Sequence, residues 1–165
     1  MVAILGVQRA LIITAVLFFF GVIASYLLRR GIILPGLFHM VGLVEREHEK
    51  ELPGKGALIF FLGAIFLMLI FKEQLIVIGA LCVAVYGDAA STLFGLRFGK
   101  HRIAGKKTIE GVLGGILVSL LFLGVLFEPW IALVTAITGM VSELLPFDDS
   151  FTIPLTAAIV LTLLL

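Results

Sequence analysis

Residues 83–115, VAVYGDAASTLFGLRFGKHRIAGKKTIEGVLGG, hold most of the side chains in this chain that could do chemistry. The stretch opens as an apolar run and then sets Asp88 beside Gly87. An ionisable side chain at membrane depth costs about 2.5–3.5 kcal/mol on insertion scales, so such a residue is generally paired or functional. On a helix continuing to Phe98, Ser91 and Thr92 follow Asp88 at three and four residues' spacing and share its face. Gly87, Gly95 and Gly99 recur at multiples of four. That spacing suits close helix packing, and it equally suits close approach of backbone to a ligand.

Residues 105–111, GKKTIEG, form a second group. Thr108 is a candidate N-cap for the apolar helix after it, and backbone N–H groups at such a terminus bind phosphate. Lys106 and Lys107 offer charge to phosphate oxygens and also anchor the chain at the membrane face. Glu110 falls in the first turn, where the helix dipole favours it; it is also a candidate metal ligand. The spacing is not that of a GxxxxGK[ST] phosphate loop. The third group, residues 143–154, reads ELLPFDDSFTIP. Asp148 and Asp149 sit in a turn between apolar runs, with Glu143 upstream. Asp and Ser are ordinary turn formers. Carboxylates gathered on one face opposite lysines are also the donor set that Mg²⁺ takes together with a polyphosphate, which makes Asp88, Glu110, Asp148 and Asp149 the metal candidates. A fourth group, EREHEKELPGKG at 45–56, alternates charge as an exposed interfacial helix does. His39, His48 and His101 lack zinc-like spacing.

The elements that must position these groups are apolar. Of the 165 residues 61% are hydrophobic and the mean hydropathy is +1.24. A soluble domain averages about 45–50% apolar, and a chain this small has too much surface to hide the excess. The expected fold is all-α: a polytopic integral membrane protein forming a single transmembrane domain over residues 1–165. A hydrocarbon core of ~30 Å asks for roughly 20 apolar residues per span. The runs at 10–28, 56–71, 75–94, 112–127, 129–145 and 153–165 give about six helices. The first is too long for a signal-peptide core. Ten of the 12 Lys and Arg residues fall in the loops after the first, third and fifth runs or beside them. Lys72 and Arg9 fall on the other side. Excess Lys and Arg marks the cytoplasmic side, so the chemically equipped face is expected to meet the cytosol from the cell membrane. A net charge of +1 gives no reason to expect nucleic acid as a partner. The single cysteine, Cys82, lies in an apolar run and makes no internal disulfide.

Taken in order, YGDAASTLFGLRFGKHRI, KKTIEG and DDSFTIP resemble the CTP-dependent lipid-alcohol kinases: dolichol kinase, phytol kinase and the CTP-using diacylglycerol kinase. Those enzymes are similar in pattern to phosphatidate cytidylyltransferases. The resemblance runs from about Tyr86 to Pro154. It implies a membrane-embedded kinase that moves the γ-phosphate of CTP to the hydroxyl of a long-chain lipid alcohol, with polyprenol or dolichol preferred and Mg²⁺ as cofactor. By position it implies that Asp88 holds Mg²⁺ or orients the acceptor hydroxyl. Lys107, Thr108 and Glu110 would contact CTP phosphates and metal. The expected catalytic residues are thus Asp88, Lys107 and Glu110, and Lys106, Ser91, Gly95 and Gly99 join Lys107 and Thr108 as the nucleotide-binding candidates. Asp148 and Asp149 match the late acidic element, where Ser150 stands in place of the family's common asparagine. Longer members carry further amino-terminal helices, so this chain is expected to be a minimal member or one completed by a partner chain, a homodimer being one candidate assembly. Two other readings stay open. One is cytidylyl transfer from CTP to a lipid acid. The other is a non-catalytic membrane transport or scaffold protein, against which the charges gather at one face and line no path across.

Overall fold

The computed structural model describes residues 2–30, 54–104, 107–145 and 148–165. Among these the chain forms six helices: α1 (Val2–Arg29), α2 (Lys55–Ile70), α3 (Gln74–Phe98), α4 (Ile109–Leu126), α5 (Pro129–Val141) and α6 (Asp149–Leu164). The strands β1 (Arg102–Ala104) and β2 (Lys107–Thr108) pair antiparallel in the connection between α3 and α4.

The helix boundaries reflect local chemistry. α2 starts after Gly54, whose φ of 77° is a conformation that glycine adopts without strain. α4 starts at Thr108, whose side chain accepts a hydrogen bond from the Gly111 N–H, as a threonine N-cap should. α5 begins with Pro129 in its first turn, where the missing N–H leaves no helix bond unmade. Asp148 caps α6 by accepting from the Ser150 N–H at 3.1 Å. Pro154 lies inside α6, so the Ser150 carbonyl loses the N–H it would otherwise have met four residues on. α2 comes very close at that point: a Cβ on Gly63 would stand 2.9 Å from the Ser150 oxygen.

Three helices are long and apolar enough to cross a membrane: Val2–Leu28, Gln74–Phe98 and Ile109–Leu126. Helices of this kind mark a membrane protein. Of the six spans expected, these three have the full length; α2 and α6 have 16 residues each and α5 has 13. At 1.5 Å per residue, 16 residues reach about 24 Å, short of a ~30 Å core. The third helix runs on to Phe98, beyond the run at 75–94, and the first begins at Val2. The charged segment 45–53 and Lys106 lie outside the described residues.

α6 sits centrally, packed on α2, α3 and α5. Val77, Ala80, Val83, Ala136, Met140, Ile153 and Leu161 are wholly buried around it. α1 lies on α2 and the first half of α3 and leaves Ile4, Phe19 and Phe20 exposed. In lipid, apolar side chains on the outside carry no penalty, and small residues at the seams let backbones approach.

Candidate functional site

α3 is α-helical up to Cys82, widens to a π-turn over Val83–Gly87, and resumes at Asp88. A π-bulge inserts one extra residue per turn and re-aims the side chains beyond it, and such bulges are frequent at functional sites. Asp88 is the first residue after the bulge, with Ser91 on the same face one turn further.

The partners come from the loop end of α4 and from the α5–α6 corner. α5 tightens into a 3₁₀ turn at Ser142–Leu144, fastened by the Ser142 hydroxyl donating to the Gly139 carbonyl at 2.6 Å. The tighter winding turns Glu143 inward until 2% of it is exposed. Its Oε1 accepts from the Ser91 hydroxyl at 3.0 Å and from the Lys107 ammonium. Lys107 also donates to Asp149 Oδ2 at 2.5 Å. One oxygen from each of Asp88, Glu143 and Asp149 lies within 4.8 Å of the others. Residues 61 positions apart in the chain thus meet, and the loops after α3 and α5 share one end of the bundle.

Burial works against the charge on Lys107, yet its hydrogen bonds to Asp149 and Glu143 and the charges of both outweigh that, leaving its pKa above the ordinary lysine value. Lys107 balances one of the two carboxylates it touches, and Asp88 brings a third carboxylate to the cluster. Glu143 Oε2 is buried and has no hydrogen-bond partner among the described residues. An orphaned buried carboxylate oxygen is expensive unless something binds it. The donors are all hard oxygens from carboxylates, the kind that Mg²⁺ prefers, so these residues fit that ion.

The glycines build the seam that brings Lys107 here. A Cβ on Gly111 would stand 2.8 Å from the Ser91 carbonyl and 3.3 Å from Gly95 Cα. One on Gly95 would stand 3.1 Å from Thr108 Oγ1, and Gly99 is likewise pressed on Thr108. Gly95, Gly99 and Thr108 therefore serve contact between α3 and the start of α4. Glu110 turns to the loop instead: its Oε1 lies 2.7 Å from His101 Nδ1, and its Oε2 accepts from the His101 N–H at 3.3 Å. The β1–β2 pairing, Arg102 opposite Thr108, fixes that arrangement. Asp148 is exposed and engaged as the α6 cap.

Of the sequence-derived residues, then, Asp88, Ser91, Lys107 and Asp149 converge, whereas Glu110 and Asp148 make local bonds beside them. Glu143 was not among the metal candidates. Its sequence signal was an ionisable residue inside the apolar run 129–145, the feature that singled out Asp88.

In sequence the chain is similar to an uncharacterized protein of Methanocaldococcus jannaschii: 28% identical over 143 residues, which is 84% of this chain and 73% of that protein. No family model matches the chain, and no solved structure matches it.

Proposed function

We propose that the protein is a CTP-dependent lipid-alcohol kinase with about six membrane-inserted helices and its reactive end facing the cytoplasm. The observation that carries this reading is the convergence of Asp88, Glu143 and Asp149 on Lys107 at one end of an apolar bundle. A hydrophobic alcohol dissolves in the bilayer and presents its hydroxyl where the helices end. A nucleotide reaches the same place from water. The Lys and Arg content of the connections after α1 and α3 supports the cytoplasmic orientation.

Phosphoryl transfer asks chiefly for positioning and charge neutralisation. Asp88, Glu143 and Asp149 would hold Mg²⁺, which when bound supplies charge neutralisation for a polyphosphate. The Lys107 ammonium is placed to bind phosphate oxygens once it leaves a carboxylate. Asp88 aligns the acceptor hydroxyl and takes its proton as the oxygen attacks. The new O–P bond forms at the γ-phosphorus, the bond to the β–γ bridging oxygen breaks, and CDP departs. Ser91 steadies Glu143 through its hydrogen bond. Glu110 and His101 hold the basic loop, on which Lys100 and Arg102 are exposed beside Arg97 in the last turn of α3. The choice of CTP and of a polyprenol-like acceptor comes from the resemblance of the YGDAAS, KKTIEG and DDSFTIP segments to the kinase family.

The test is incubation of purified protein with Mg²⁺, a panel of long-chain alcohols and CTP labelled at either the α or the γ phosphorus. Label carried to lipid from the γ position alone supports the kinase. Label from the α position identifies cytidylyl transfer, and none from either removes both.

A further inference from the structure

A cavity of about 300 Å³ lies between α1, α2 and α3. Phe60, Phe61, Ala64 and Met68 of α2 face Ile78 and Tyr86 of α3 across it, and Val2 and Thr14 of α1 line its other wall. The lining is almost entirely apolar, and the Thr14 hydroxyl within it donates to the Ala10 carbonyl at 2.8 Å. It is about twice the size of the ~150 Å³ apolar void that stays dry and takes up benzene. Hydrocarbon fills such a space better than water does.

Its position relates it to the cluster. Ile78, Leu81, Cys82, Val85 and Tyr86 form one stripe along two turns of α3. The stripe ends two residues before Asp88, about 3 Å along the helix axis. Val85 and Tyr86 belong to the same π-turn that sets Asp88. The Tyr86 ring is fixed by stacking on Phe122, centroids 4.1 Å apart and planes 10° apart. On its far side the cavity is walled by α1, an apolar helix of membrane-spanning length with most of its surface exposed. In a bilayer that surface meets hydrocarbon, the phase in which a long-chain alcohol dissolves.

We infer that this cavity holds the part of the long-chain alcohol's hydrocarbon nearest the hydroxyl, with the first carbons beside Tyr86 and Val85 and the hydroxyl end directed to Asp88. The inference rests on the kinase reading for the fate of that hydroxyl; occupancy of the cavity is tested apart from it.

Wild-type protein in lipid nanodiscs, without nucleotide, is irradiated with a diazirine-bearing isoprenoid alcohol, and the labelled peptides are mapped. The expected label falls on the cavity walls of α2 and α3. A long unlabelled alcohol removes it, and a five-carbon alcohol does not. Label spread evenly over lipid-facing surfaces such as Val125 of α4, and indifferent to competitor, overturns the inference. In parallel, Ala64→Phe fills the cavity from a site only 5% exposed. It is expected to weaken competition by the long alcohol about tenfold or more. Val125→Phe, at a position 85% exposed, leaves it unchanged. Should Ala64→Phe fail to fold, the wild-type labelling still decides. Competed labelling without phosphoryl transfer keeps the cavity and removes the kinase; phosphoryl transfer without competed labelling does the reverse.

Discussion

Replacing Lys107 by methionine takes the ammonium from between two carboxylates. Removing one partner of a buried ion pair is destabilising by about 3–5 kcal/mol, because the other charge is left stranded. The side chains here differ in access to solvent: Glu143 is 1% exposed, Asp149 30% and Lys107 itself 28%. Asp149 can rehydrate, whereas among the described residues Glu143 keeps only the Ser91 hydroxyl. The expected loss therefore sits at the low end, about 3 kcal/mol. At about 2–4 °C per kcal/mol for a chain of this size, the melting temperature of K107M in chelator falls by about 6–12 °C. The melt can be followed in detergent through the fluorescence of Trp130, the chain's single tryptophan. The double variant K107M/E143M removes both charges and substitutes apolar side chains of similar length, which is often neutral. It is expected to recover at least half of the loss. A fall below about 2 °C in K107M, or a double variant melting no higher than K107M, refutes the reasoning that Glu143 depends on this lysine.

Four further outcomes are expected. Mn²⁺ or Mg²⁺ added to chelator-treated protein at about a hundredfold its dissociation constant stabilises it by about 2.7 kcal/mol; Asp149→Asn and Glu143→Gln abolish that increment in the same thermal melt. Gly111→Val drives a side chain into the Ser91 carbonyl and lowers stability by about 1–3 kcal/mol, and γ-phosphate transfer falls with it as Ser91 is displaced. Thr108→Ala removes the acceptor for the Gly111 N–H, a loss of about 1 kcal/mol read as a shift of about 2–4 °C. Because the folded state raises the Lys107 pKa, its stabilisation is complete below the ordinary lysine value and is lost only as pH rises through the raised one. The melting difference between wild type and K107M should thus stay constant from about pH 7 to pH 9 and shrink in stronger alkali.

Much of the arrangement could be read from residue spacing. Asp88 and Ser91 share a helix face by periodicity, and Thr108 caps α4 by type and position. Lys107 and Asp149 sit where loops of one polarity meet. Less legible was the part that depends on departures from regular helix. The π-turn at Val83–Gly87 shifts the register around Asp88, and no hydrophobic period announces it. The 3₁₀ turn at Ser142–Leu144 carries Glu143 inside, where a regular α-helix would give it a different bearing. Glu110 shares the first turn of α4 with the capping region, but the short β1–β2 hairpin before it hands it His101. Gly95 and Gly99 suited ligand approach and close packing equally on sequence alone; only the position of α4 distinguishes which atoms they meet. Among the described residues, each of the six apolar runs corresponds to one helix. Helix ends were less legible: the turn at 142–144 stops α5 four residues before its apolar run ends, and the Asp148 cap starts α6 four residues ahead of its run.

The most direct measurement is the initial rate of γ-phosphate transfer from labelled CTP to a long-chain alcohol by wild type and by Glu143→Gln, each confirmed folded in the same liposomes. Loss of one preorganised electrostatic group lowers a rate by about 10²–10³, and the account predicts a fall of that size in E143Q. A wild-type protein that transfers no γ-phosphate, or an E143Q that transfers it at the full rate, contradicts it.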